Sequence, residues 1–211
     1  MIFKDREDAG RQLARQLEEY ANRDDVLVLG IPRGGVTVAF EIAHSLHLTL
    51  DIFLCHKLGV PWQEELAFGA IAAGGERTLD EQVVRMEGIS PQEVERVTEH
   101  VRQMLDRRSV LYRSERAPLQ VEMKTVVLVD DGIATGASMA VAVQALRAMK
   151  PAAIIVAVPV APASTCAWLR TLADRLVCLY AAHDFYAVGQ FYEDFSQVED
   201  EEVIDLLRRA E

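Results

Sequence analysis

Apolar positions along the chain follow two alternating rhythms. From Asp5 to about Ala21, Leu13, Leu17 and Tyr20 recur at helical spacing, and DDVLVLG then stays apolar up to a glycine, so a helix leads into a buried strand. GGVTVAFEIAHSLH predicts a second helix, LDIFLC a second strand and LAFGAIAA a third. Further strands fall at TVVLVDD, AAIIVAVPV and RLVCLY, separated by the helices GASMAVAVQALRAM and APASTCAWLRTLA. Continuous apolar strands alternating with helices predict an α/β fold, a mostly parallel sheet with helices on both faces.

Two segments break the alternation. Ser90 as cap and Pro91 at the first helical position open a long charged helix over about 90–115, with Val94, Val97, Val101, Leu105 and Leu111 at core-like spacing. It is inserted between sheet strands. The tail from AAHDFYAVGQFYEDF is rich in aromatics and closes on DEEVIDLLRR, a short helix. With 211 residues and no repeat or linker, a single domain over 1–211 is expected, its core at about 22–180.

Composition narrows the function. A net charge of −11, from 33 acidic and 22 basic residues, repels polyanions and argues against nucleic acid. No apolar run reaches the ~18 residues of a membrane span, and the charged start MIFKDREDAGRQL lacks the apolar stretch of an export signal. A cytoplasmic protein without a membrane segment is expected. Cys55, Cys166 and Cys178 are unclustered in apolar segments and read as buried thiols. His44 and His47 are three apart on a helix with no further ligand near them in sequence, which argues against zinc.

The chemistry concentrates in VVLVDDGIATGAS, residues 126–138. In a parallel sheet the ligand crevice lies at the carboxyl ends of the strands, where strand order reverses. There Asp130 and Asp131 can accept hydrogen bonds from a vicinal diol or face a metal-bound sugar. The small residues after them, Gly132, Ile133, Ala134, Thr135, Gly136, Ala137 and Ser138, form a turn that opens a helix. Its successive N–H groups, with the Thr135 and Ser138 hydroxyls, suit an anion. A phosphate beside a diol describes a ribose 5-phosphate. An ordinary strand-to-helix turn with two solvated acids is the plainer alternative.

The spacing DD-x-x-x-T-G-x-S after four apolar residues resembles the phosphoribosyl pyrophosphate signature of the type I phosphoribosyltransferases. Gly132 departs from the aliphatic residue more usual in that family. GIPRGGVTVAFEIA, HKLGVPWQEELAFGAIA, DRRSVLYR and FYAVGQFYEDFSQVEDEEV are similar to segments of a bacterial subgroup whose acceptor is unassigned. The resemblance implies that fold with a small C-terminal hood, mainly residues 181–211. It also implies phosphoribosyl transfer from phosphoribosyl pyrophosphate to a nitrogenous acceptor, with Mg2+ held mainly by the donor. Small molecules are the expected partners, and a homodimer is compatible with the sequence. A sensor that binds a nucleotide or phosphoribosyl pyrophosphate without turnover, and a hydrolase of a phosphoribosyl compound, remain as alternatives.

In the resembled family the loop after the first strand binds pyrophosphate, often through a strained or cis peptide. Here that loop is GIPRGG, where Arg33 supplies a forked cation and Gly34 and Gly35 permit close backbone approach; read without the resemblance, it is a Pro-Gly turn. The resemblance also directs Lys57 at the phosphates, although a strand-end lysine by itself reads as a solvated charge. His56 stands where relatives often carry arginine. Ala134 replaces the aspartate by which 6-oxopurine enzymes contact the base, a substitution closer to adenine and uracil enzymes. Glu64 or Glu65 could replace that acid or be surface charges. Phe185 and Tyr186 are candidates for stacking on an acceptor ring or for hood core. Glu193 and Asp194 read equally as surface acids or metal contacts; Arg107, Arg108 and Arg113 could close over phosphates, but read better as a solvated helix face or salt-bridge network.

Overall fold

A computed structural model describes residues 2–113 and 116–210, apart from the side chain of Glu65. In chain order the elements are α1 (Arg6–Arg15), β1 (Val26–Gly30), α2 (Gly34–Leu46), β2 (Thr49–Ile52), β3 (Cys55–Val60), β4 (Gln63–Ala72), β5 (Arg77–Leu79) and α3 (Glu81–Met86). They continue as α4 (Pro91–Arg113), β6 (Thr125–Val129), α5 (Ala137–Ala148), β7 (Ala153–Pro162), α6 (Ala163–Leu169), β8 (Arg175–Ala182) and α7 (Asp200–Arg209). They fall into two compact units, one of Met1–Ile52, Val121–Gly136 and Pro151–Glu211, the other of Phe53–Gln120 and Ala137–Lys150.

The first unit carries a five-stranded parallel sheet in the order β2-β1-β6-β7-β8. Every residue of β1 and β6 is buried, so these strands show no polar alternation in sequence. From β1 the chain adds β2 on one side, and from β6 it adds β7 and β8 on the other, so the strand order reverses between β1 and β6. Gly30 is in register with Val129, and the Ile31 N–H bonds to the Val129 carbonyl at 2.9 Å. The loops leaving β1 and β6 therefore start level with each other at the carboxyl edge of the sheet. Asp5 caps α1 by accepting from the Asp8 N–H at 2.7 Å, and α1 buries Ala9, Leu13 and Ala14. The helix stops at Arg15, short of the expected Ala21, and the chain continues through a 3₁₀ turn at Glu18–Tyr20.

In the second unit β3, β4 and β5 form an antiparallel sheet. LDIFLC is thus divided: Thr49–Ile52 joins the parallel sheet and Cys55 begins a hairpin. LAFGAIAA belongs to that hairpin as well. Only Pro61 and Trp62 connect β3 to β4, far too few residues for the crossover that parallel neighbours require. The long insertion forms α4, whose start is a reciprocal cap. The Ser90 N–H donates to Glu93 Oε2 at 2.8 Å and the Glu93 N–H to Ser90 Oγ at 3.3 Å. Val94, Thr98, Val101 and Leu105 form its buried stripe. No helix among the described residues is long and apolar enough to cross a membrane.

Candidate active site

The buried strand β6 delivers Asp130 and Asp131 to the carboxyl edge of the sheet at the reversal of strand order. Opposite them stands the N-terminus of α2. A Cβ on Gly34 would overlap the Asp131 carboxylate, and one on Gly35 would lie 2.8 Å from the Asp130 Cα and 3.0 Å from its Oδ1. Two residues without side chains therefore let the helix start lie against both acids, where its dipole favours negative charge. The Pro32–Arg33 peptide in this loop is cis. Arg33 precedes α2, and its Nη1 lies 3.4 Å from Glu199 Oε2 and 3.9 Å from Asp200 Oδ1.

Two residues that the sequence reading did not single out complete the surroundings of Asp131. The Arg6 Nε donates to Asp131 Oδ2 at 2.8 Å, and its Nη1 donates to the Ser196 carbonyl at 2.7 Å. The same guanidinium lies 3.9 Å above the Phe195 ring. The Tyr192 hydroxyl donates to the Asp131 backbone carbonyl at 2.5 Å. Hydrogen bonds from Phe3 N–H to the Phe191 carbonyl and from Glu193 N–H to the Phe3 carbonyl tie the segment before α1 to the one that carries Tyr192. One sequence signal for Arg6 existed. Asp5 is a good N-cap, so Arg6 falls in the first turn of a helix, where the dipole disfavours a cation and a compensating anion is called for.

Burial sets the electrostatics. Asp130 is held well above the ordinary carboxylate range, first by desolvation and then by the neighbouring charge of Asp131. Desolvation also raises Asp131, but Arg6 pulls it back through its hydrogen bond and charge. The Tyr192 phenol is pushed up by burial and by Asp131, so it stays a donor. The acid pair thus holds a proton more readily than two solvated aspartates would.

The loop after the acids is tied to β7. Ile133 is buried and its N–H bonds to the Val160 carbonyl at 2.9 Å, while Ala134 and Thr135 are exposed. The Thr165 hydroxyl fixes the Ala134 carbonyl at 2.9 Å. Gly136 has φ +84°, and a Cβ there would come within 2.9 Å of Thr165 and Trp168, so this position needs glycine twice over. Ala137 opens α5, with Ser138 exposed in its first turn.

Of the other expected site residues, Lys57 lies on β3 in the second unit. Phe185 packs at 5.5 Å on Phe191, beside a core cluster that includes Phe3 and Tyr192, whereas Tyr186 is 92% exposed. Glu64 is exposed on β4, and the Glu65 side chain lies outside the described residues. Asp194 accepts from the Ser196 N–H, and Arg107 and Arg108 are exposed on α4. Cys166 is buried as expected, whereas Cys55 and Cys178 are only half-buried; desolvation still pushes the Cys178 thiol up to about 12. Among the described residues no three His, Cys, Asp or Glu side chains gather to hold a metal; the acid pair offers oxygen donors of the kind magnesium takes, suited to sharing an ion with a ligand.

Comparison with known proteins decides the family: the phosphoribosyl transferase domain matches residues 2–196. The chain belongs to that family. Two Mycobacterium tuberculosis proteins, both provisionally named phosphoribosyl transferases, are 44% identical over 209 residues, covering 99% of this chain and 47% of each relative. The chain spans about half the length of these curated relatives. A crystal structure of a Thermus thermophilus protein matches with a TM-score of 0.89 at 40% identity, covering 99% of both chains. The matched residues include the whole parallel sheet and the acid pair at its reversal of strand order.

Proposed function

We propose that this phosphoribosyl transferase domain transfers a phosphoribosyl group from phosphoribosyl pyrophosphate to a nitrogenous acceptor, releasing pyrophosphate. The observation that carries this reading is the pair Asp130 and Asp131, crowded against the side-chain-free start of α2 and followed by a small-residue turn. Ribose hydroxyls donate to the two carboxylates, and the turn from Gly132 to Ser138 receives the 5-phosphate through N–H groups and the Thr135 and Ser138 hydroxyls. As pyrophosphate leaves the anomeric carbon, positive charge grows on the ribose. Negative charge at Asp130 and Asp131 then favours the transition state over the neutral sugar. Arg6 and Tyr192 hold Asp131 in place without touching the reacting atoms. Arg33, Gly34 and Gly35 receive the pyrophosphate.

Magnesium fits this site as an ion carried by the donor, where it would neutralise the leaving pyrophosphate. The acceptor is a nucleobase or related ring. Ala134 offers a methyl group where a 6-oxopurine enzyme would offer a carboxylate, so an adenine-like base or a smaller ring is favoured. Equilibrium titration with phosphoribosyl pyrophosphate and magnesium tests the site. Binding that falls sharply in a folded Asp130→Asn/Asp131→Asn variant is expected, and unchanged binding would remove the ribose assignment.

A further inference from the structure

We propose that the second unit holds a separate binding pocket for a phosphate-bearing nitrogen heterocycle, of the nucleoside monophosphate class. A cavity of about 400 Å³ opens between β3 and α4, a size within the range of small-ligand sites. All of its lining residues belong to the second unit, so neither the acid pair nor Arg33 takes part. It is distinct from the site assigned above, and the proposal does not rest on the transfer reading.

The lining has three kinds of surface. Arg96, Val97, His100, Val101 and Met104 recur along one face of α4, so the helix presents a cation and an imidazole beside an apolar strip. Lys57 adds a second cation from β3, in a chain whose net charge is −11. His56 and Glu64 supply acceptors. The His56 Nδ1 lies 2.8 Å from the Lys57 carbonyl, which can only accept, so Nδ1 carries the proton and a neutral ring keeps Nε2 as an acceptor. A ligand that satisfies this lining has an anionic group for Arg96 and Lys57, a flat apolar body against Val97, Val101 and Met104, and N–H donors for His56 and Glu64. Inorganic phosphate meets only the first requirement and a free nucleoside only the others.

The test is calorimetric titration of the full chain with AMP, GMP and UMP separately, and with adenosine and inorganic phosphate as half-ligands. At least one nucleotide is expected to bind more tightly than either half-ligand. Arg96→Glu, on an exposed position, is expected to weaken it by about tenfold or more while leaving the circular dichroism spectrum unchanged. Arg96→Gln provides a milder change should the reversal disturb α4. Asp130→Asn is expected to leave this binding intact. The proposal is overturned if no nucleotide binds, if neither Arg96 variant weakens binding, or if Asp130→Asn weakens it as much as Arg96→Glu does.

Discussion

Arg6 and Asp131 are 125 positions apart in sequence and form a charge-assisted hydrogen bond of 2.8 Å, with side chains only 10% and 16% exposed. The pair joins the first turn of α1 to the strand end that carries the candidate ribose site. Removing one partner of a buried pair leaves an uncompensated charge, so Arg6→Ala should cost about 3 kcal/mol of stability. Arg6→Lys should recover part of that loss but not all. A lysine restores the charge, whereas the fork that reaches both Asp131 and the Ser196 carbonyl over the Phe195 ring needs a guanidinium. Denaturant unfolding of the three proteins checks the order.

Asp130 gives a stability effect of opposite sign. Its folded-state pKa lies well above the ordinary 3.8, so the ionised form is the costly one in the folded protein. That cost starts as pH rises through the ordinary value and is complete once pH passes the folded value. Asp130→Asn removes it. The variant should melt higher than the parent at neutral to mildly alkaline pH, with the gap closing as pH falls toward about 4. A variant less stable than the parent at neutral pH would show that the asparagine breaks contacts the acid makes.

At Gly34 the added methyl of an alanine has no space beside Asp131. Gly34→Ala should displace the acid or the start of α2 and cost about 1–3 kcal/mol, as overpacking does. It should also weaken donor binding. A spectrum of thermal melts and donor titrations on Gly34→Ala and Gly35→Ala would show both losses, and parent-like binding in either would separate α2 from the site.

Among the described residues Arg33 makes half-exposed contacts to Glu199 and Asp200, which contribute little to stability. Arg33→Ala should therefore leave the melting temperature nearly unchanged. It should weaken phosphoribosyl pyrophosphate binding while sparing ribose 5-phosphate, which lacks the pyrophosphate. Equal losses for the two ligands would contradict the pyrophosphate assignment.

The exposed Ala134 bears on acceptor choice. A positioned general base typically contributes ~10²- to 10⁴-fold to a proton transfer, and Ala134 supplies none. Hypoxanthine and guanine should be poorer acceptors than adenine or a pyrimidine when turnover is compared at one donor and magnesium concentration. Efficient guanine transfer would reverse this ordering.

Much of this arrangement was legible in the sequence because it is local. The apolar run of β6, the adjacent acids and the small-residue turn are consecutive, and the all-buried strands announced a parallel sheet. The glycines at 34 and 35 also signalled close approach, though not what approaches them. Long-range partners were not legible. Arg6 reaches Asp131, and Tyr192 its carbonyl, across separations that no periodicity encodes. The hairpin of β3 and β4 was misplaced because a buried apolar strand reads alike in either kind of sheet; only the two-residue connection distinguishes them. Phe185 illustrates the same limit. Its aromatic ring suits an acceptor site or a core, and its packing on Phe191 is visible only in the fold.

The central claim is that Asp130 and Asp131 form the ribose site of a phosphoribosyl transfer. The most direct measurement is pyrophosphate release from phosphoribosyl pyrophosphate with magnesium and adenine, hypoxanthine, guanine, xanthine, uracil or orotate, each compared with a reaction lacking base. Release that depends on a base, and that falls about a hundredfold or more in a folded Asp130→Asn/Asp131→Asn variant, is the predicted result. Base-independent release, or release that survives loss of both acids, would contradict it.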